Sequence, residues 1–361
     1  MKITFDDQIF TFQRRGGVSR YFVELLRQFQ QDPALDVEAI TPFRYVLNDH
    51  LLAFGPERFR RAPLPAAAQR ARVLRPLNRM TARRSAPPAL LHHTYSLHGA
   101  LAAPARTRVC TVYDMTPELF PEHFPFGNPH QAKREFVEAC DAVLCISQTT
   151  KDDLIKIYGD LDKPVVVTPL GVGDEFFVDP PELEATPDYV LYVGHRVGYK
   201  NFDVVLRAFA LLKAERPGLS LVCVGAPFTE SETARLAELG LTDQVRQREA
   251  GDDELPALFA RALCFVFPSR YEGFGLPIVE AFAAGCPVLL ADMPCSVEVG
   301  GEAAQFFAPD DHDRLAALIE EMVATPQSRK PWVDAGRVRA RQFTWRRTAE
   351  LTRDLYAELL A

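Results

Sequence analysis

The chain has 361 residues, 47% apolar and 25% charged, with 41 Lys and Arg against 48 Asp and Glu for a net charge of −7. That length predicts two domains of roughly 150 to 200 residues, and the balance excludes disordered and fibrous classes. The net acidity argues against nucleic acid as a general partner.

At the N-terminus, Asp6 and Asp7 of MKITFDDQIF stand where a signal peptide would need its apolar region. No apolar run approaches the ~20 residues that span a bilayer, so the expected location is cytoplasmic. Short β-branched or apolar runs then alternate with helical patterns: KITF at 2, VEAIT at 37, ALLH at 89, RVCTVY at 108, AVLCI at 142 and VVVT at 165. A second series follows, with DYVLYVG at 188, LSLVCVG at 219, ALCFVF at 262, PVLLA at 287 and AQFFA at 304. This alternation predicts an α/β protein of two Rossmann-like, doubly wound parallel-sheet domains, with ligands bound beyond the carboxyl ends of the strands.

The stretch VDPPELEATPD, 178 to 188, reads as a linker, because its prolines can continue neither a helix nor a central strand. The division expected is 1–172, 173–340 and a last helix at 341–361 that crosses back to the first domain. Seven cysteines, an odd number with no C-x-x-C pair, read as reduced core residues.

Chemistry concentrates in the second half. In SRYEGFGLPIVEAFAAG, residues 269 to 285, the turn EGFG separates a strand-like run from a helix-like one, with Pro277 suited to the first helical position. Backbone N–H groups at such a helix start favour phosphate or a polar hydroxylated ligand. Taken singly, Glu272 fits a solvated loop and Glu280 a capping residue; the spacing places both carboxylates on one crevice, where they suit the hydroxyls of a nucleotide-sugar. In YVGHRVGYKNFDVVLRAFA, Arg196 and Lys200 leave the first strand of that half at its carboxyl end, where two cations facing the EGFG turn neutralise a diphosphate. Alternatively the turn is merely basic and exposed, with Asn201 as the helix N-cap.

EGFGLPIVEA together with GHRVGYKN resembles the donor lobe of retaining glycosyltransferases of family 4, which have the two-lobed GT-B fold with an interdomain cleft. FDDQIFTFQRRGGVSRYFVELL, VYDMTPELFPE, CISQTTKDDL and VTPLGVGDEF fall where that family has comparable segments, so the resemblance covers nearly the whole chain. It implies that Glu272 contacts the transferred sugar, Glu280 the ribose, and the backbone of Gly273, Phe274, Gly275 and Leu276 the sugar and phosphate. Arg196 and Lys200 would hold the diphosphate, and Gly16 and Gly17 would let the first domain approach it. Where the family commonly has a histidine before an acidic residue, this chain has Tyr113 and then Asp114. A tyrosine is a poor base at neutral pH, which shifts polar work to Asp114. His92 and His93 could line the cleft or simply fill the core.

The resemblance implies a hexosyltransferase that needs no metal and no cofactor beyond its donor; DLD at 160 and DHD at 311 end no buried strand, and Asp311 reads as a helix cap. The donor favoured is GDP-mannose, with UDP-sugars open, and the acceptor a surface polysaccharide or lipid-linked saccharide. The arginine-rich, acid-free segment 58–84 suits an anionic membrane surface, with a solvated face or a groove for an anionic acceptor as the other readings. Two alternatives stand beside this reading: a GT-B sugar-nucleotide 2-epimerase, and a non-catalytic saccharide-binding partner subunit.

Overall fold

The computed structural model describes every residue except 62–70, 83–86, 125–127, 129, 131 and 179–188. Contacts divide the chain into two compact units, Met1–Leu170 with Trp345–Ala361, and Gly171–Thr344.

The first unit is built on a six-stranded parallel sheet, in the order Glu38–Ile40, Lys2–Phe5, Leu90–His93, Thr107–Val112, Ala142–Cys145 and Val165–Val167. The chain winds one way from Lys2–Phe5 and the other way from Leu90–His93, so the strand order reverses between those two. Ligands of open α/β sheets bind at such a reversal. Helix Gly17–Gln31 buries Tyr21, Phe22, Leu25, Leu26 and Phe29, a spacing that puts them on one face. Phe22 meets Phe5 of the sheet edge to face at 5.4 Å. The closing helix, Trp345–Leu360, buries Trp345, Thr348, Ala349, Thr352, Leu355 and Tyr356 and packs on that same helix. Its Thr348 Oγ1 donates to the Pro169 carbonyl at 2.6 Å, and Tyr356 Oη lies 2.6 Å from His92 Nδ1. His92 is fully buried, and burial first, then the neighbouring His93, drives its pKa down to about 3. It is a core residue.

The second unit repeats the plan, in the order Val245–Arg248, Ser220–Val224, Tyr189–Val193, Cys264–Phe267, Val288–Ala291 and Gln305–Phe307, all parallel. Its strand order reverses between Tyr189–Val193 and Cys264–Phe267. Helices Phe202–Leu212 and His312–Ala324 pack together on one face through Val205, Phe209, Leu315, Leu318 and Ile319.

The structure adds elements to the sequence reading. Val245–Arg248, which carries no apolar run, is an edge strand with only Val245 buried. Tyr45–Val46 and Arg60–Arg61 form a small parallel pair. All seven cysteines are buried and free. Of the linker 178–188, all but Val178 lies outside the described residues.

Candidate active site

At the strand-order reversal of the second unit, two loops leave adjacent strands. The first runs through a single turn, Gly198–Lys200, and Asn201 takes a left-handed conformation (φ 55°) before helix Phe202–Leu212. Asn201 does not cap that helix with its side chain, as the sequence reading had it. Its amide donates instead to the carbonyls of Pro268 (3.2 Å) and Pro309 (2.7 Å), tying this loop to the next. Arg270 N–H donates to the Tyr199 carbonyl at 2.8 Å, a second staple. Held this way, Lys200 Nζ meets Glu272 Oε1 at 2.5 Å, with both side chains less than a fifth exposed.

After Glu272, Gly275 turns the chain into helix Leu276–Ala283 with φ 91°, a conformation costly for any residue with a Cβ. A Cβ there would lie 2.8 Å from Ile278 Cδ1. No side chain caps this helix, so its first N–H groups and the dipole behind them are directed to the loop. Pro277 is its second residue rather than its first. Phe274 is buried edge-on to Phe343 at 5.6 Å, and Glu280, in the helix's second turn, is 5% exposed.

Arg196 departs from expectation. Its Nε donates to Glu232 Oε1 at 2.7 Å and its Nη2 to the carbonyls of Ala226 (2.7 Å) and Pro227 (3.0 Å), while its guanidinium lies over the Phe228 ring at 4.7 Å. The physical cause is the capping box at Thr229, which plants Glu232 where it accepts from Arg196. Of the two cations expected at the EGFG turn, Lys200 pairs with Glu272 of that turn, and Arg196 pairs with Glu232. Buried Arg196 Nη1 has no partner.

In the first unit, Gly16 (φ 156°, ψ 167°) occupies a region that is essentially glycine's alone and precedes Gly17, the first residue of helix Gly17–Gln31. Arg14 Nε and Arg15 Nε donate to Asp49 Oδ2 at 3.1 and 2.9 Å, and Arg61 joins them. Asp6 binds His93 Nδ1 (2.7 Å), Thr94 Oγ1 (2.6 Å) and Gln8 Nε2 (2.7 Å). Burial alone would raise its pKa; those bonds and the His93 charge outweigh it and hold Asp6 at about 2. Tyr113 Oη donates to the Thr94 carbonyl at 3.2 Å, and burial pushes its phenol far up, so its proton is already used within the protein. Asp114 Oδ1 accepts from Thr116 N–H at 3.0 Å. Beside Asp114 stand Tyr95 and His130, which the sequence reading did not single out. Among the described residues no His, Cys, Asp and Glu cluster is placed to hold a metal, and Asp311 caps helix His312–Ala324.

The family description "Glycosyl transferases group 1" matches residues 174–339, and "Glycosyltransferase Family 4" matches residues 15–176. The chain is 28% identical to O-antigen chain mannosyltransferase B of Escherichia coli, over 94% of this chain and 95% of that protein. It is 29% identical to O-antigen chain mannosyltransferase RfbU of Salmonella typhimurium, over 66% of this chain and 65% of that protein. Among solved structures it superposes on Anabaena HepE in complex with UDP-glucose with a TM-score of 0.75 and 20% identity, over 99% and 100% of the two chains. WaaG, a glycosyltransferase involved in lipopolysaccharide biosynthesis, superposes with a TM-score of 0.70 and 16% identity, over 98% and 99%. These are two-domain GT-B folds, and so is this one.

Proposed function

We propose that this chain, which belongs to the family 4 glycosyltransferases, moves mannose from GDP-mannose to a growing surface polysaccharide or lipid-linked glycan, with retention at the anomeric carbon. The observation that carries the donor site is the Lys200–Glu272 pair at the strand-order reversal, beside an uncapped helix start. Lys200 and the N–H groups of that helix meet the diphosphate, while Glu272 and Glu280 accept hydrogen bonds from sugar and ribose hydroxyls. The C1–O bond to the diphosphate breaks, the acceptor oxygen attacks the same face of C1, and the acceptor proton passes to a phosphate oxygen of the leaving group. The protein supplies position and positive charge in this scheme, which has no role for a metal ion. The likeness to two O-antigen mannosyltransferases supports mannose and a polysaccharide acceptor.

No helix among the described residues is long and apolar enough to cross a membrane. The described part of segment 58–84 supports peripheral contact with an anionic surface: helix Ala71–Ala82 sets Val73 and Leu77, 45% and 38% exposed, one turn apart on one face. Flotation with vesicles containing phosphatidylglycerol tests this, and failure to float at low salt overturns it.

Titration of the protein with GDP, UDP and their hexose conjugates in the presence of chelator tests the donor site. Binding of GDP and GDP-mannose under chelation is expected. Binding that appears only on adding magnesium would overturn the metal-free scheme.

A further inference from the structure

Phe12 is a large aromatic residue that is 53% exposed, yet its ring is stacked on Tyr95 at 5.3 Å and 23°. Phe12 ends the short helix after strand Lys2–Phe5, and Tyr95 follows strand Leu90–His93. The pair therefore stands at the strand-order reversal of the first unit, at the carboxyl end of its sheet, where open α/β sheets bind ligands. Next to it a cavity of about 20 Å³, lined by Tyr95, Tyr113, Asp114, His130 and Lys133 among others, has room for a single water-sized group. Asp114 is brought there by the next strand of the same sheet, Thr107–Val112.

We propose that Phe12, backed by Tyr95, is the stacking platform for the acceptor's pyranose ring, and that Asp114 and His130 take one of its hydroxyls in the adjoining cavity. This rests on the glycosyltransferase reading and adds the acceptor's class, a neutral hexopyranoside. The C–H face of a pyranose is apolar and suits an exposed ring, while its hydroxyls need both a donor and an acceptor. The polar end offers both. Tyr95 Oη lies 2.9 Å from His130 Nδ1, and burial, with Asp114 after it, pushes the phenol pKa up. Burial likewise lowers the His130 pKa, which favours the neutral ring, and a neutral imidazole carries one N–H donor. Asp114 is the acceptor. Among the described residues of the lining the one lysine or arginine, Lys133, binds Glu118 Oε2 at 2.8 Å and the Asp114 carbonyl at 2.8 Å rather than the Asp114 carboxylate, which disfavours an anionic sugar.

The test is saturation-transfer NMR of methyl α-mannopyranoside, with glucuronate as the contrast, on protein saturated with GDP. Wild type is expected to bind the mannoside and not glucuronate. Phe12→Ala is expected to weaken mannoside binding by about tenfold, and Phe12→Trp to restore it, since Trp keeps an aromatic face. Circular dichroism melting confirms that each variant is folded. A folded Phe12→Ala that binds the mannoside as wild type does would overturn the platform, as would a wild type that prefers glucuronate. If wild type binds GDP but no glycoside, the subsite is wrong and the transferase reading stands; if it binds neither, both fall.

Discussion

Lys200 Nζ and Glu272 Oε1 lie 2.5 Å apart, joining two loops that leave neighbouring strands at the point where the sheet reverses its winding. Without donor the two charges satisfy each other. In the proposed scheme a diphosphate competes for the ammonium and frees the carboxylate for sugar hydroxyls. Lys200→Ala is expected to weaken GDP binding by about tenfold or more, as loss of one charge-assisted contact does. Glu272→Ala is expected to lower turnover by at least about tenfold while GDP still binds, because the proposal gives it contacts to the sugar and none to the nucleotide. Calorimetry for binding and product chromatography for turnover separate the two; equal effects of both variants on both readouts would contradict the assignment.

Arg196 is a structural cation in the geometry described above. Its side chain is 4% exposed and serves Glu232 and two carbonyls. Arg196→Ala is expected to lower unfolding free energy by about 3 kcal/mol, the cost of stranding one member of a buried pair. Chemical denaturation measures this. A variant of unchanged stability that has lost nucleotide binding would return Arg196 to the diphosphate.

Gly275 sets the angle at which the EGFG turn enters its helix. Gly275→Ala demands a positive φ from a residue with a Cβ and a shift of Ile278, a cost of about 1 to 3 kcal/mol. A lower melting temperature together with weaker donor affinity is expected, and an unaltered melting curve would show that the turn tolerates the side chain.

Asp7 makes stability depend on pH. Burial raises its pKa to about 6, the neighbouring Asp6 adds to that, and the Asn78 amide at 2.8 Å and Arg75 offset only part. The folded state therefore holds this proton more tightly than the unfolded chain, whose value is 3.8. The resulting stabilisation is complete below pH 4 and is lost as pH rises through about 6. Asp7→Asn removes that dependence and is expected to be more stable than wild type at pH 8 by about 3 kcal/mol, with a smaller difference at pH 5. Urea denaturation at the two pH values checks the sign; a variant less stable at pH 8 would contradict it.

What the sequence made legible follows from burial. CFVF and VLLA are buried on both faces and read as unbroken apolar runs, so central strands of the second sheet were plain. VRQR, an edge strand with one buried residue, carries no such run. The loops bearing Lys200 and Glu272 were located because each follows a central strand, yet their contact, across 72 residues, depends on Asn201 reaching two distant carbonyls. The contact of Arg196 with Glu232 was not legible because Glu232 is 36 residues away and reads as an ordinary capping residue. His130 lies in a segment without periodicity, and nothing short of the fold puts it beside Asp114.

The central claim is transfer with retention from a nucleotide-hexose. Proton NMR of the first product formed from GDP-α-mannose and methyl α-mannopyranoside tests it most directly, through the one-bond C1–H1 coupling of the new residue. An α-linked disaccharide is the predicted result. A β-linked product, or no transfer from GDP-mannose or any UDP-hexose by protein that binds them, would contradict it.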